Sequence, residues 1–396
     1  MEKLYTYLTM KNDAILLLSS NLPLFIADKI YVEHLILFHK ERKSIMIELI
    51  DILRIGVENK ASDIHLTVGR APSLRINGRM RPIEGEALTK ECTMQYAKTC
   101  TDKEKFEQLM SVGEIDFSMS VEGLSRFRVN IFFQRGSVAL VFRVLASKIP
   151  TLESLNFPQA IKDICKIKEG LILVTGPTGS GKSTTMASII NEINATKEGH
   201  ILTLEDPVEY VFEHNKCIVN QREISEDSKS YANALRAALR EDPDVIFIGE
   251  MRDNESISIA VTAAETGHLV LSTLHTLGAA KTLDRLIDVF PPDQQQQIRV
   301  QVSSALKAVI SQRLIPDIEG KGRVAALEIM VVTPAISNLI REGRGTSINS
   351  MIQTGASFGM QLMDKSIADL YHQKRISQED AYEYCVDKEA LKRYIG

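Results

Sequence analysis

The sequence predicts an α/β protein, with a mostly parallel sheet covered by helices on both faces and a smaller α+β domain before it. From about residue 159, apolar runs of strand length alternate with stretches of helical periodicity. One such run, residues 171–174, leads into a glycine-rich loop and then a helix. Before residue 145, shorter runs alternate polar and apolar residues around tight turns such as Asn77-Gly78, as antiparallel strands do. Between these runs, we expect a helical stretch over residues 90–110.

The chain has 396 residues, enough for two or three domains. We expect an N-terminal extension at 1–45, a small α+β domain at 46–145, a linker at 146–158, the α/β domain at 159–332 and a helical region at 333–396. Residues 41–43, Glu-Arg-Lys, are what a purine-rich ribosome-binding sequence would encode ahead of Met46. We therefore hypothesise that Met46 is the natural start, with a genuine extension as the alternative.

Composition argues against several classes of protein. With 44% hydrophobic and 25% charged residues, the chain has the balance of a soluble globular protein. A formal net charge of −4 gives no basic footprint, so we expect no nucleic-acid partner. The five cysteines form no C-x-x-C pair, which argues against a zinc site or a redox dithiol. The most apolar region, residues 14–38, is interrupted by proline and charges, so we expect no membrane span.

The glycine-rich loop GPTGSGKSTT, residues 176–185, fits the pattern G-x-x-x-x-G-K-[ST]. Glycines let backbone N–H groups turn toward phosphate oxygens, and the helix N-terminus adds partial positive charge. We expect Lys182 to reach the outer phosphates of a nucleotide and the Ser183 hydroxyl to hold Mg²⁺. The predicted binding set is Gly176, Thr178, Gly179, Ser180, Gly181, Lys182, Ser183 and Thr184. The alternative is a turn that matches by chance.

Three later strands also carry polar residues at their ends, and one of them carries a histidine at its start as well. Glu205 and Asp206 follow one strand, Glu250 follows the next, and a third strand opens at His268 and closes at His275. The carboxyl ends of parallel strands are where α/β sheets bind ligands. The first acid could activate the water that attacks the γ-phosphate, the second could bind Mg²⁺, and His275 could sense phosphate. The alternatives are a solvated turn, a chance acid and structural histidines.

Two arginine pairs raise an electrostatic question. Arg236 and Arg240 lie four apart, hence on one helical face, where like charges repel unless nearby acids relieve them. If Arg135 and Gly136 form a hairpin turn, Arg128 falls opposite Arg143, which is also unfavourable. A nucleotide γ-phosphate beside this second pair would explain it; an exposed, hydrated face is the alternative.

The smaller domain has no phosphate loop of its own. Its arginines would therefore reach a nucleotide held by the larger domain, either of the same chain or of a neighbouring copy. A neighbour's nucleotide implies a head-to-tail ring, in which each interface completes one site.

Together, these motifs resemble those of the bacterial secretion and pilus ATPases, and within them the type IV pilus retraction ATPases, over roughly residues 46–385. The residues that carry the resemblance are GPTGSGKST, ILTLEDPVEY, DVIFIGEMRD, GHLVLSTLHT, RFRVNIFFQ, FPPDQQQQIRVQ, AVISQRLIP and PAISNLIREGR. The resemblance implies a RecA-like P-loop ATPase core, a PAS-like N-terminal domain and C-terminal helices. It also implies cytoplasmic homohexamers that hydrolyse ATP with Mg²⁺, dock on the inner-membrane platform protein and withdraw pilin, which produces twitching motility.

The resemblance assigns roles to the candidate residues. Glu205 would be the catalytic glutamate and Glu250 the Walker-B acid that helps hold Mg²⁺. The remaining residues implied at the catalytic site are the His-box histidines, His268 and His275, and the arginines Arg128, Arg143, Arg236 and Arg240.

PAISNLIREGR is similar to the retraction signature AIRNLIRE, but Ser337 stands where the family has arginine. We expect a helix that Thr333 caps and Gly343 ends, with Ser337, Asn338, Arg341 and Glu342 facing away from the core. No four-cysteine element of the assembly ATPases is visible. A pilus assembly or type II secretion ATPase stays the alternative, and a nucleic-acid motor or a non-hydrolysing regulator is more distant. A paralogous retraction ATPase is a further candidate partner.

Overall fold

The computed structural model describes residues 48–145, 148–251, 253–320 and 322–396. The N-terminal extension and the hypothesised start at Met46 lie outside these ranges. The chain divides into two compact units between Val144 and Leu145. None of the helices in the described ranges combines the length and apolar character needed to cross a membrane.

The first unit is an antiparallel six-stranded sheet in the order β3-β2-β1-β6-β5-β4. Its strands are β1 (Asp63–Leu66), β2 (Ser73–Ile76), β3 (Arg79–Pro82), β4 (Glu114–Val121), β5 (Ser125–Gln134) and β6 (Ser137–Val144). Its helices are α1 (Leu49–Glu58), α2 (Lys90–Cys100) and α3 (Lys103–Val112). Side chains of the helices and of alternate strand positions, such as Phe127 and Phe142, form one core.

Two tight turns set the register of two strand pairs in this sheet, β2 with β3 and β5 with β6. Asn77 and Gly78 have φ of 50° and 78°, and Arg135 and Gly136 have φ of 47° and 69°. Positive φ at both central residues matches the right-handed twist of the flanking strands. The predicted hairpins are therefore confirmed. The helical stretch expected over residues 90–110 is instead two helices, because the Asp102 side chain accepts the backbone N–H of Lys105 and caps a new helix.

The second unit contains a seven-stranded sheet in the order β13-β12-β7-β11-β10-β8-β9. Neighbouring strands are parallel throughout, except that β13 runs antiparallel to β12. The strands are β7 (Gly170–Thr175), β8 (Gly199–Glu205), β9 (Cys217–Glu223), β10 (Val245–Ile248), β11 (Leu269–Leu274), β12 (Leu306–Pro316) and β13 (Arg323–Val331). The central strands are apolar on both faces, as a doubly covered sheet requires.

Helices cover both faces of this sheet, which confirms the predicted fold class. One face packs α4 (Gln159–Ile164) and α5 (Lys182–Thr196). The other face packs α6 (Tyr231–Ala238), α7 (Asn254–Glu265), α8 (Ala279–Asp288) and α9 (Pro292–Ala305). The C-terminal helices are α10 (Pro334–Arg341), α11 (Ile348–Thr354), α12 (Met363–His372), α13 (Gln378–Tyr384) and α14 (Lys388–Ile395).

Helix α10 carries the signature-like segment. It begins after Thr333, whose hydroxyl accepts the backbone N–H of Ile336, and the chain leaves it at Gly343 with φ of 71°. The expectation that Ser337 faces away from the core is wrong. Its hydroxyl donates to the carbonyl of Ser303 at 2.6 Å, because α10 packs against the end of α9.

Candidate active site

The phosphate loop joins β7 to α5 at the carboxyl edge of the sheet, between the neighbouring strands β11 and β12. No other residue type fits well at the two glycines of the motif, Gly176 and Gly181. Gly176 has φ of 148° and Gly181 has φ of 88°. An added Cβ would lie 2.4 Å from the Gln312 carbonyl oxygen at the first position and 2.8 Å from the Gln312 amide nitrogen at the second. The loop therefore needs glycine both for backbone conformation and for close approach to β12.

Lys182 is buried at the start of α5 and turns back into the loop. Its ammonium donates to the carbonyls of Gly176 at 2.9 Å and Pro177 at 3.1 Å. Burial lowers the pKa of Lys182, and the Glu250 carboxylate opposes this shift. The ammonium group is thus held inside the loop, where an anionic phosphate would relieve its desolvation.

The other loop residues differ in how far they are exposed. Thr178 and Gly179 are exposed, whereas Ser183 and Thr184 are half-buried at the start of α5. The hydroxyls of Ser180 and of Thr175, the last residue of β7, are buried without a hydrogen-bond partner. Buried polar atoms are normally paired, so these orphaned hydroxyls fit a site that a polar ligand completes.

Glu205 is the last residue of β8 and is buried, whereas Asp206 is exposed. The Oε1 atom of Glu205 accepts hydrogen bonds from the Thr203 hydroxyl at 2.6 Å and the Gln221 side-chain amide at 3.2 Å. Burial raises the pKa of Glu205 to about 7, although both hydrogen bonds oppose the shift. A carboxyl group with this pKa can both accept and release a proton near neutral pH.

Glu250 and His275 are brought together, as their positions after neighbouring parallel strands predict. Their Oε1 and Nε2 atoms lie 3.4 Å apart. In the strand order, β11 with His275 lies beside the phosphate-loop strand, and β10 with Glu250 lies next. His275 therefore lies between the phosphate-loop strand β7 and Glu250 at the carboxyl edge of the sheet.

His268 does not join this group. It precedes β11, and its carbonyl accepts the backbone N–H of Gly170, the first residue of β7. Six strand residues separate it from the loop edge, a distance of about 20 Å at the usual rise per residue. Its ring Nδ1 lies 3.0 Å from the carbonyl of Ala263. Within its own unit, His268 is placed as a structural histidine, and the predicted catalytic role stays a prediction.

The prediction that Arg236 and Arg240 share a helical face is wrong. Helix α6 ends at Ala238, so Arg240 lies in the turn that follows. Arg236 is paired with Glu255 on α7, and Glu241 is paired with Arg222 rather than with either arginine. Both Arg236 and Arg240 are exposed, and their predicted approach to a γ-phosphate stays a prediction.

Arg128 and Arg143 are directly opposite each other in the first unit, as predicted. However, each has a carboxylate partner. Arg143 Nε lies 3.0 Å from Asp63 on β1, and Arg128 donates from Nε and Nη2 to Asp116 on β4, at 3.1 and 2.5 Å. These carboxylates relieve the repulsion that the sequence left unexplained. The register alone therefore does not require an external anion.

Sequence reasoning missed the residues that support the catalytic candidates, one on the same strand as Glu205 and two on other strands. Thr203 and Gln221 hold Glu205, and Gln312 contacts the phosphate loop. Gln221 and Gln312 lie 16 and 132 residues from their partners. Gln312 lies within the quoted segment AVISQRLIP, but neither that segment nor the residues around Gln221 predict these contacts, which depend on the strand order.

The fold and this edge define a class: a RecA-like P-loop ATPase core, with a phosphate loop followed along the chain by a buried glutamate, an acid and a histidine. The chain belongs to the family described as Type II/IV secretion system protein, whose profile matches residues 39–383. This confirms the resemblance drawn from the motifs.

Within this family, the chain is similar to individual pilus ATPases. The chain is similar to the type IV pilus retraction ATPase PilT of Pseudomonas aeruginosa, with 48% identity over 339 residues, which cover 85% of this chain and 97% of the relative. The type IV pilus ATPase PilU of the same organism is 40% identical over 330 residues, 83% of this chain and 86% of that protein. A crystal structure of the pilus retraction motor PilT with bound ADP matches with a TM-score of 0.83 at 48% identity, covering 88% of this chain and 99% of that chain.

Proposed function

We propose that this protein is the ATP-hydrolysing motor that retracts type IV pili. One observation carries the proposal: a phosphate loop and the buried Glu205 share the carboxyl edge of one sheet, in a chain that spans 97% of a retraction ATPase at 48% identity. The loop supplies the nucleotide grip, and Glu205 supplies a group that can take a proton from water.

The proposed steps begin with nucleotide binding. Lys182 exchanges the carbonyls of Gly176 and Pro177 for the outer phosphates of ATP. Ser183 and Glu250 would hold Mg²⁺, because a hydroxyl and a carboxylate are hard oxygen ligands that suit this ion. When bound, Mg²⁺ supplies charge neutralisation on the phosphate oxygens. Glu205 orients the attacking water and accepts its proton. His275, which contacts Glu250, would sense the γ-phosphate.

We further propose a homohexameric ring in which Arg128 and Arg143 of one copy approach the nucleotide of its neighbour. The paired carboxylates Asp63 and Asp116 would hold both guanidinium planes in fixed orientations until a phosphate competes for them. The ring would lie on the cytoplasmic face of the inner membrane against the pilus platform protein. A paralogous ATPase is a second candidate partner, since P. aeruginosa has both relatives. We expect no nucleic-acid partner.

The pH dependence of turnover follows from Glu205. Burial raises its pKa to about 7, so below that pH the carboxyl is protonated and cannot accept the proton of water. We expect kcat to fall about tenfold per pH unit below 7 and to level off above it. Steady-state ATPase assays at saturating MgATP from pH 5.5 to 8.5 measure this. A flat profile across the range would remove Glu205 from the role of base.

A deletion strain tests the biological direction of the motor. Excess surface fibres with lost crawling motility are the expected result, because pili would assemble without being withdrawn. Complementation with a Lys182→Ala variant should leave the fibres in place, since nucleotide binding is lost. Cells without fibres would contradict retraction and would instead indicate an assembly ATPase.

A further inference from the structure

A buried glutamine on β12, the strand beside β7, contacts the phosphate loop. Gln312 is 2% exposed. Its Nε2 donates to the carbonyl of Ser180 at 2.7 Å, and its Oε1 accepts the Thr185 hydroxyl at 2.6 Å. One amide side chain thus uses its donor on the loop and its acceptor on the first turn of α5.

The first of these bonds sets the direction of a peptide group. In a trans peptide, the C=O of residue 180 and the N–H of residue 181 point in opposite directions. Because the Ser180 carbonyl accepts from Gln312 on β12, the N–H of Gly181 is directed away from the Gln312 amide. The contact therefore orients one of the N–H groups on which the grip depends.

The loop also packs on Gln312 at both motif glycines. A Cβ on Gly176 would meet the Gln312 carbonyl oxygen, and one on Gly181 would meet its amide nitrogen. The same strand reaches the C-terminal helices one residue later, where the Arg313 guanidinium donates to the carbonyl of Tyr384. Gln312 therefore lies on a strand that pairs with β7 on one side and β13 on the other, and that is also bonded to a C-terminal helix.

We propose that Gln312 is a positioning residue for the phosphate loop, acting through Ser180 and Thr185 to keep the loop in its nucleotide-binding conformation. The inference rests on the proposed ATPase function, but it concerns binding rather than hydrolysis. The loop conformation that Gln312 supports binds the nucleotide equally in the ground state and in the transition state of hydrolysis. Loss of Gln312 should therefore weaken nucleotide affinity and raise KM with little change in kcat.

Gln312→Met keeps the length of the side chain and removes both hydrogen bonds. In the full chain, we expect the Kd for MgADP to rise about tenfold or more, as the loss of two buried hydrogen bonds implies. KM for ATP should rise by a similar factor, while kcat stays within about threefold. Thr185→Val removes the hydroxyl donor alone and should show a smaller rise in Kd. Isothermal titration calorimetry measures the affinities.

Gln361→Met is the matched control. Gln361 also braces a backbone, donating from Nε2 to the carbonyl of Leu327 at 2.9 Å, and its hydrogen bonds go to Leu327 and Ile329 on β13. We expect its Kd for MgADP to stay within about twofold of the wild type, even if its Tm falls as much as that of the Gln312 variant. Equal weakening by both methionine variants, or unchanged affinity in Gln312→Met and Thr185→Val, would overturn the proposal. Because ADP binding is the readout, the comparison decides even if the wild type hydrolyses no ATP.

Discussion

Replacing Glu205 by glutamine should leave ATP binding nearly unchanged and lower kcat by about 10³-fold. The amide fills the same buried space and can keep a hydrogen bond from Thr203, but it cannot accept the proton of the attacking water. The contacts from the phosphate loop are untouched, so nucleotide affinity is retained. Single-turnover hydrolysis and equilibrium binding of MgATP separate the two effects.

Asp206→Asn is the control for this change. Asp206 is the next residue along the chain but is exposed, so neutralising it should alter kcat by less than about threefold. If Glu205→Gln turned over at the wild-type rate, Glu205 would have no catalytic role. A comparable loss in both variants would point to a general effect of charge at the turn instead.

The second large effect is expected from Arg128→Ala. An arginine that meets the γ-phosphate stabilises charge in the transition state, so kcat should fall by about 10²-fold or more while the Kd for ATP changes by less than about fivefold. The exposed ion pair with Asp116 contributes little to folding, so the variant should keep its Tm. ATPase assays, binding titrations and thermal melts on the assembled protein measure the three quantities.

Arg79→Ala provides the matched control. Arg79 is exposed on β3, the strand at the far edge of the same six-stranded sheet. Its loss should leave kcat within about twofold of the wild type. Equal losses of binding and hydrolysis in Arg128→Ala would argue against a transition-state role, and an equal loss in Arg79→Ala would argue for a general effect of positive charge.

Local chemistry made much of the fold predictable. The phosphate loop follows from its glycines, its lysine and the strand and helix beside it. The turn at Arg135 and Gly136 fixes the register that sets Arg128 opposite Arg143, because a two-residue turn determines every pair in the hairpin. Parallel strands gather their carboxyl ends, so the sequence predicted that Glu250 and His275 lie at the same edge, where the structure places them 3.4 Å apart.

Other features depended on residues distant in the sequence or on signals that were present but missed. Asp63 lies 80 residues from Arg143, and no pattern in the chain links the two. The end of α6 did have a signal in the sequence: Asp242 precedes a proline, and helices usually end at or before such a residue. In the structure, Asp242 has φ of 52°. Asp102 was likewise a recognisable N-cap that divides one expected helix into two.

Mixing two inactive variants tests most directly whether each site is completed by the neighbouring copy. Glu205→Gln and Arg128→Ala subunits are combined under conditions that allow rings to exchange. If Arg128 acts on the neighbour's nucleotide, an interface with an intact Glu205 on one side and an intact Arg128 on the other is whole, so the mixture should regain ATPase activity well above either variant alone. If the mixture stays as inactive as its parts although mixed rings form, the arginine does not serve a neighbour's site, and the shared-interface account is wrong.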